Sequence, residues 1–143
     1  MNPHQLSGME LLTQVMNGML PHPTMAETIP MKIVAVEEGR VEFSATAGGQ
    51  HRNPMGGVHG GFAATVLDSV TGCAVHSLLA PGESYGTVDL NIKMLKPVPI
   101  GAELRAIGNV INMSRRLGIS EGRLMDEEGN IYAHATCTCM LFR

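Results

Sequence analysis

The sequence predicts an α+β fold in which antiparallel strands curl around one long buried helix. The first observation is the order of the elements, which is a short helix, a hairpin, a long helix and then a run of strands. The second is the long helix itself, residues 58–79, which has no proline and is apolar around most of its circumference. The third is size, because 143 residues with 44% hydrophobic content suffice for one core. We therefore expect a single domain over residues 1–143, with residues 1–22 as an N-terminal helix and loop.

The first elements are a capped helix and a hairpin. Ser7 and Glu10 have the spacing of a capping box, and the apolar residues that follow recur at helical intervals. Residues 21–28, which contain two prolines, are predicted as a loop. Two stretches of alternating apolar and polar residues then flank residues 37–39, and this pattern predicts a hairpin.

The long helix lies between a glycine-rich loop and the remaining strands. Residues 48–57 hold four glycines and a proline, which predicts a loop of unusual backbone freedom. Strand composition recurs in residues 86–95, 103–113, 117–125 and 131–142. In the last of these Cys137 and Cys139 fall on the apolar face, so we interpret them as core thiols rather than zinc ligands. Five or six strands cover only part of so long a helix, so we expect a second copy to complete its burial in a homodimer or larger assembly.

Charge and composition exclude several classes of protein. The net charge is −3, the aromatic content is 3% and tryptophan is absent, so we do not expect a nucleic-acid partner. Three cysteines and a start without a basic, apolar leader argue against a secreted disulfide scaffold, and we predict a cytoplasmic protein. The apolar run of residues 62–80 contains Asp68 and His76, so a membrane span is not expected.

Asp68 is the only charged residue between Arg52 and Glu83. On a helix it shares a stripe of small or polar residues, spaced three and four apart, with Gly61, Thr65, Gly72 and His76. Two interpretations stay open for a carboxylate that such a helix would bury. One is a structural group bonded to Thr65 or to the backbone, and the other is a catalytic group, since partial desolvation makes a carboxylate a stronger base.

The start of the long helix is the second candidate feature. His59, Gly60 and Gly61 follow the glycine-rich loop, so the free first-turn N–H groups lie beside a backbone that a ligand can approach closely. Such a terminus can bind an anion or the oxyanion of a polarised carbonyl. The spacing and lysine of a phosphate-binding loop are missing, so a nucleotide site of that kind is not expected.

These two features belong to a wider set of motifs over residues 30–142. The set consists of Asn53, His59-Gly60-Gly61, Asp68, the stretch 86–91, Leu95-Lys96-Pro97, Gly101, the turn 126–129 and the stretch 133–136. It resembles the hotdog-fold acyl-CoA thioesterases, in particular their phenylacetate-pathway (PaaI-like) branch. The resemblance implies a curved antiparallel sheet wrapped around one long central helix, with active sites at a dimer interface. It also implies hydrolysis of an acyl-CoA thioester to the free acid and coenzyme A.

The resemblance implies a role for each matching residue. Asp68 corresponds to the acidic group that activates water or attacks the thioester directly. Gly60 corresponds to the backbone N–H that polarises the carbonyl from the partner subunit. Asn53 matches the side-chain amide that shares this duty or orients the water, and Thr87 matches a hydroxyl near the nucleophile.

Other residues are expected around this centre. His59 would shape the loop and, with Gly61, contact the substrate. Some relatives carry a hydroxyl one turn after the acid, where this chain has Gly72. Arg115 and Arg116 lie between two predicted strands, where they would meet the phosphates of coenzyme A or simply form a solvated turn.

The expected chemistry needs no cofactor or metal, since coenzyme A enters only as part of the substrate and the histidines have no zinc spacing. We expect a homodimer that pairs again into a homotetramer, and the composition argues against a nucleic-acid or membrane partner. Two alternatives remain, a hotdog enoyl-CoA hydratase or dehydratase and a non-catalytic acyl-CoA-binding protein. The sequence leaves the acyl group open.

Overall fold

The computed structural model describes residues 2–143, which begin with two short helical elements. A 3₁₀ turn at Pro3–Gln5 precedes helix α1 at Gly8–Met16. The predicted capping box is confirmed, because the Ser7 hydroxyl accepts a hydrogen bond from the Glu10 N–H at 3.1 Å while the Glu10 carboxylate accepts one from the Ser7 N–H. The prediction of a plain loop at residues 21–28 is wrong in part: its second half forms the one-turn helix α2 at Met25–Thr28. The prolines occupy only the first half, which leaves the end free to close one turn.

Six strands form one antiparallel sheet. In chain order they are β1 at Met31–Glu37, β2 at Arg40–Thr46, β3 at Ser84–Met94, β4 at Glu103–Met113, β5 at Leu117–Met125 and β6 at Ile131–Phe142. Their order across the sheet is β1-β2-β4-β5-β6-β3. The hairpin and the last three strands are confirmed, whereas β3 begins two residues before the predicted segment 86–95 and ends one residue earlier. Because β3 is the last strand in the sheet order, it lies at an edge, and one row of its backbone groups is unpaired within the chain.

The central helix α3 at Gly60–His76 packs against the concave side of this curved sheet. It is shorter than the predicted residues 58–79, because Val58 pairs with Arg52 in an isolated bridge and Ser77 ends the helix. Glycines in the sheet allow the helix to lie close. A Cβ at Gly122 would lie 2.8 Å from the Thr71 side chain, closer than carbon atoms can pack.

The core lies between α3 and the sheet, as the period-two pattern of the last strand predicts. Cys137 and Cys139 are buried free thiols on the inner face of β6, which confirms their interpretation as core residues. Their sulfur atoms lie 3.7 Å apart. Within residues 2–143, none of the helices has the length and apolar character that a bilayer crossing requires.

Candidate active site

Asp68 lies on an exposed side of α3, next to the edge strand β3. Its Oδ1 accepts a hydrogen bond from the hydroxyl of Thr87 at 3.0 Å. The expectation that Asp68 is buried is wrong for a single chain, because this part of the helix is not covered and the residue is exposed. Of the two partners that the structural interpretation allowed, Thr65 is engaged elsewhere, since its hydroxyl donates to the Gly61 carbonyl of its own helix at 2.9 Å. The structural interpretation of Asp68 therefore loses its proposed side-chain partner.

Thr87 reaches Asp68 because of the way β3 crosses the helix. It pairs with Cys139 of β6, so its side chain points to the inner face of the sheet and towards α3. A register shift follows between Thr87 and Asp89, which interrupts the regular alternation of the strand. The sequence prediction that Thr87 lies near the acidic residue thus agrees with the geometry of one chain.

The start of α3 leaves one backbone donor free. His59 is the N-cap residue, and its Nδ1 accepts a hydrogen bond from the Gly61 N–H at 2.7 Å. The Phe62 N–H bonds to the His59 carbonyl at 3.0 Å. Among residues 2–143, no acceptor is bonded to the Gly60 N–H, which is exposed at the positive end of the helix.

This arrangement divides the predicted roles within the His-Gly-Gly motif. His59 shapes the helix start, as expected, because its ring nitrogen is engaged as the cap. The Gly61 N–H is already bonded to that ring, so Gly61 can line the substrate site only through its surface and not as a backbone donor. Gly60 is the donor that remains for a carbonyl oxygen.

Asn53 lies beside this free donor. Its Oδ1 accepts the Met55 N–H at 3.0 Å, and its backbone bonds to Gly56 and Gly57 in the glycine-rich loop. The side-chain amide group has no bonded acceptor in the described part of the chain, so its N–H groups are free to donate. Asn53 and Gly60 line one cavity of about 400 Å³, together with Met94.

Asp68 and Gly60 are far apart in one chain. Eight residues separate them along α3, which corresponds to about 12 Å at ~1.5 Å per residue. Reacting groups must approach to about 3–3.5 Å, so the two residues of one copy cannot act on the same carbonyl. The chain therefore carries two half-sites, Asp68 with Thr87 and Asn53 with Gly60.

The remaining candidates lie outside these half-sites. Arg115 and Arg116 form the exposed turn between β4 and β5, held by a bond from the Arg143 side chain to the Arg115 carbonyl at 3.1 Å. Thr71, adjacent to Gly72, cannot replace the hydroxyl of some relatives. It is fully buried, and its hydroxyl donates to the Leu67 carbonyl at 2.6 Å.

Three titratable side chains lie near Asp68, of which the sequence pattern placed only His76 on the same stripe of the helix. Burial raises the pKa of the Cys73 thiol to about 12, with a further contribution from the charge of Asp68. Burial also raises the pKa of Tyr85 and lowers that of His76. The rings of His76 and Tyr85 pack with centroids 5.3 Å apart. Residues 2–143 contain no cluster of three or more metal-ligating side chains.

Comparison with known proteins places this chain in a family. The model of the Thioesterase superfamily matches residues 55–133, and the chain belongs to that superfamily. The matched segment includes Asp68, the start of α3 and Thr87, while Asn53 lies just before it. The predicted hotdog fold and the resemblance to PaaI-like thioesterases are thereby confirmed.

Individual relatives agree with this assignment. The chain is 31% identical over 99 residues to acyl-coenzyme A thioesterase 13 from Mus musculus, an alignment that covers 68% of this chain and 63% of that protein. The chain thus spans about three fifths of that relative's length. A phenylacetic acid degradation-related protein from Ralstonia eutropha JMP134 is 33% identical, with a TM-score of 0.82 and coverage of 90% and 98% of the two chains. The PaaI protein of E. coli, 19% identical, shares the fold with a TM-score of 0.82 over 96% of this chain and 97% of that one.

Proposed function

We propose that the protein hydrolyses an acyl-CoA thioester to the free acid and coenzyme A. The observation that carries the proposal is the pair of half-sites: a carboxylate bonded to Thr87, and a free helix N-terminal donor beside a free amide. Membership in the Thioesterase superfamily and the similarity to acyl-coenzyme A thioesterase 13 support the choice of substrate.

The proposed reaction needs one base and one oxyanion site. Asp68 takes a proton from water while the water oxygen attacks the thioester carbon. Alternatively Asp68 attacks that carbon itself, loss of the thiolate leaves a mixed anhydride, and water cleaves this anhydride in a second step. In either case the carbonyl oxygen becomes an oxyanion that the Gly60 N–H and the Asn53 amide stabilise. The carbon–sulfur bond then breaks. The departing thiol has a pKa of about 8.5, so it leaves readily as a thiolate without a strong general acid or a metal.

The proposed site is shared between two copies of the chain. Asp68 of one copy and Gly60 of the other would flank one thioester, because the two residues of the same copy lie too far apart. Edge strand β3 has unpaired backbone groups, and Val88 on it is 56% exposed, which makes this edge suited to pair with a second copy. We further propose a dimer of dimers, with Arg115 and Arg116 as contacts for the coenzyme A phosphates. A cytoplasmic location is part of the proposal, and the three free thiols suit a reducing compartment.

Isosteric replacement of the carboxylate tests the proposal. Release of free coenzyme A from a panel of acyl-CoAs is measured with a thiol reagent for the wild type, Asp68→Asn and Asp68→Ala. A positioned base contributes about 10²–10⁴-fold, so both variants should lose at least about a hundredfold in kcat. Glu38→Gln, at an exposed turn of the hairpin, is the matched control and should retain full activity.

The outcome also separates the alternatives. Hydration of an enoyl-CoA without thiol release would identify a hydratase, and tight acyl-CoA binding without turnover would identify a binding protein. Undiminished hydrolysis by Asp68→Asn would reject Asp68 as base and as nucleophile.

A further inference from the structure

An apolar cavity of about 270 Å³ lies between helix α1 and central helix α3. Its walls come from α1 and α2, from the first two strands and from one side of α3. The side chains that matter below are Leu11, Ala26, Ser69, Cys73, His76 and Tyr85. The reaction proposed above does not assign this cavity a role.

The cavity lies near the proposed catalytic carboxylate, and its walls include neighbours of both Asp68 and Thr87. Ser69, which lines it, follows Asp68 directly on α3. Tyr85, which also lines it, lies two residues before Thr87 on the same inward face of β3, since the two pair with Leu141 and Cys139 of β6. Gly72, one helical turn after Asp68, lies against the Tyr85 ring, so the cavity wall comes within about one turn of α3 from the carboxylate.

A second cavity, of about 160 Å³, lies on the other side of a thin wall. Three side chains line both cavities, namely Leu11, His76 and Tyr85. The rings of His76 and Tyr85, with centroids 5.3 Å apart and planes inclined at 54°, form the aromatic part of this partition. Tyr85 is fixed there by close packing, because a Cβ on Gly72 would lie 3.0 Å from its ring. Gly72, where some relatives carry a hydroxyl, thus provides the space that the Tyr85 ring occupies.

We propose that the 270 Å³ cavity receives the acyl group of the substrate and that the His76–Tyr85 partition limits its length. The inference rests on the proposed thioesterase function and specifies its substrate class. At about 30 Å³ for a group of the size of water or a methylene, the cavity holds about nine such groups. The preferred substrates are therefore apolar acyl groups of up to about ten carbons, counting the carbonyl.

Opening the partition tests the assignment. Tyr85→Ala connects the second cavity and adds room for about five methylene groups by the same volume. Hydrolysis of saturated acyl-CoAs from C2 to C16 should show a wild-type optimum of kcat/KM near C8 to C10, with at least about a tenfold fall by C16. In Tyr85→Ala the optimum should move to about C12 to C16. Tyr85→Phe keeps the ring and should keep the wild-type profile.

Two further variants protect the test against a folding defect. His76→Ala opens the same partition from the other ring and should shift the profile in the same direction. Ala26→Phe narrows the cavity and should shorten the optimum. Met19→Ala is the control, because Met19 lies in the turn after α1, is 72% exposed and does not line the cavity. Circular dichroism and thermal unfolding identify any variant that has lost its fold.

Binding separates this inference from the proposed activity. Calorimetric titration of the same acyl-CoA series into Asp68→Asn measures the length limit without turnover. A limit near C10 without any hydrolysis by the wild type would reject the thioesterase proposal and retain the acyl cavity. Two results would overturn the acyl assignment of the cavity and leave the proposed activity standing. One is an equal kcat/KM for all acyl-CoAs from C8 to C16, and the other is the same dependence on chain length in the wild type, Tyr85→Ala and His76→Ala.

Discussion

Two inactive variants should restore activity to each other if the active site is shared between copies. The prediction follows from the separation of about 12 Å along α3 between Asp68 and Gly60, which prevents one copy from supplying both groups to one carbonyl. Asp68→Asn removes the carboxylate from one half-site. Asn53→Ala removes the amide donor from the other, and loss of one such donor costs about 10²–10³-fold in kcat.

The expected recovery can be worked out from the geometry. In a mixed dimer of the two variants, one active site carries both substitutions and the other carries neither. Random exchange makes about half of the dimers mixed, so about one quarter of the wild-type activity should return. The variants are unfolded and refolded together, and thiol release is measured against each variant refolded alone.

The control for this experiment is a mixture of two variants that lack the same carboxylate. A mixture of Asp68→Asn with Asp68→Ala alters the same half-site in both copies, so it should recover nothing. Mixed dimers of Asp68→Asn with Asn53→Ala are isolated with two affinity tags. If their activity does not exceed the average of the two variants refolded alone, the shared site is refuted.

Three further predictions concern packing, reactivity and pH. Gly8→Ala places a methyl group in the space of the His76 carbonyl, so α1 must move away from α3 and expose its buried side chains. The free energy of unfolding, measured with urea, should fall by about 2–4 kcal/mol. Gly49→Ala, whose methyl makes an ordinary contact, is the control, and an equal free energy of unfolding for the two variants would contradict the prediction. Because burial raises the pKa of Cys73 to about 12, little of its thiol is ionised at pH 8, so it should react with a disulfide reagent much more slowly in the native than in the unfolded protein, and equal rates would disprove this. Hydrogen bonds to the Asp126 carboxylate, above all the one from the Asn130 side chain, lower the pKa of Asp126 below its unfolded value of about 3.9. The ionised carboxylate therefore stabilises the fold above that pH, and this stabilisation is lost as the pH falls through the folded pKa. Asp126→Asn should therefore lower Tm at pH 7, and the difference from the wild type should shrink below about pH 4; a difference that is constant with pH would rule out this role.

The sequence alone predicted most elements of the fold, because local patterns specify them. The capping spacing of Ser7 and Glu10 and the alternation of β6 are each contained within a few neighbouring residues. The ends of α3 were less predictable, because apolar composition continues past the helix at both ends. Helix α3 begins only after Val58, because Val58 pairs with Arg52, and a contact between these two residues cannot be predicted from helical periodicity.

The candidate site divides in the same way. A single charge in a long apolar stretch was enough to select Asp68, and the glycines that follow His59 were enough to select a helix terminus with accessible donors. The burial expected for Asp68 was wrong because burial depends on what covers a helix face, and one chain leaves that face open.

What only the tertiary structure decided is which distant residues meet. The bond of Thr87 to Asp68, the use of the Gly61 N–H by His59 and the partition made by His76 and Tyr85 all depend on packing geometry. The sequence by itself determined most of the helices and strands and singled out Asp68 as the candidate acidic group, since these follow from spacing along the chain. The cavity and its length limit follow from how α1, α3 and β3 pack, because a volume is a property of surfaces brought together and not of any one segment.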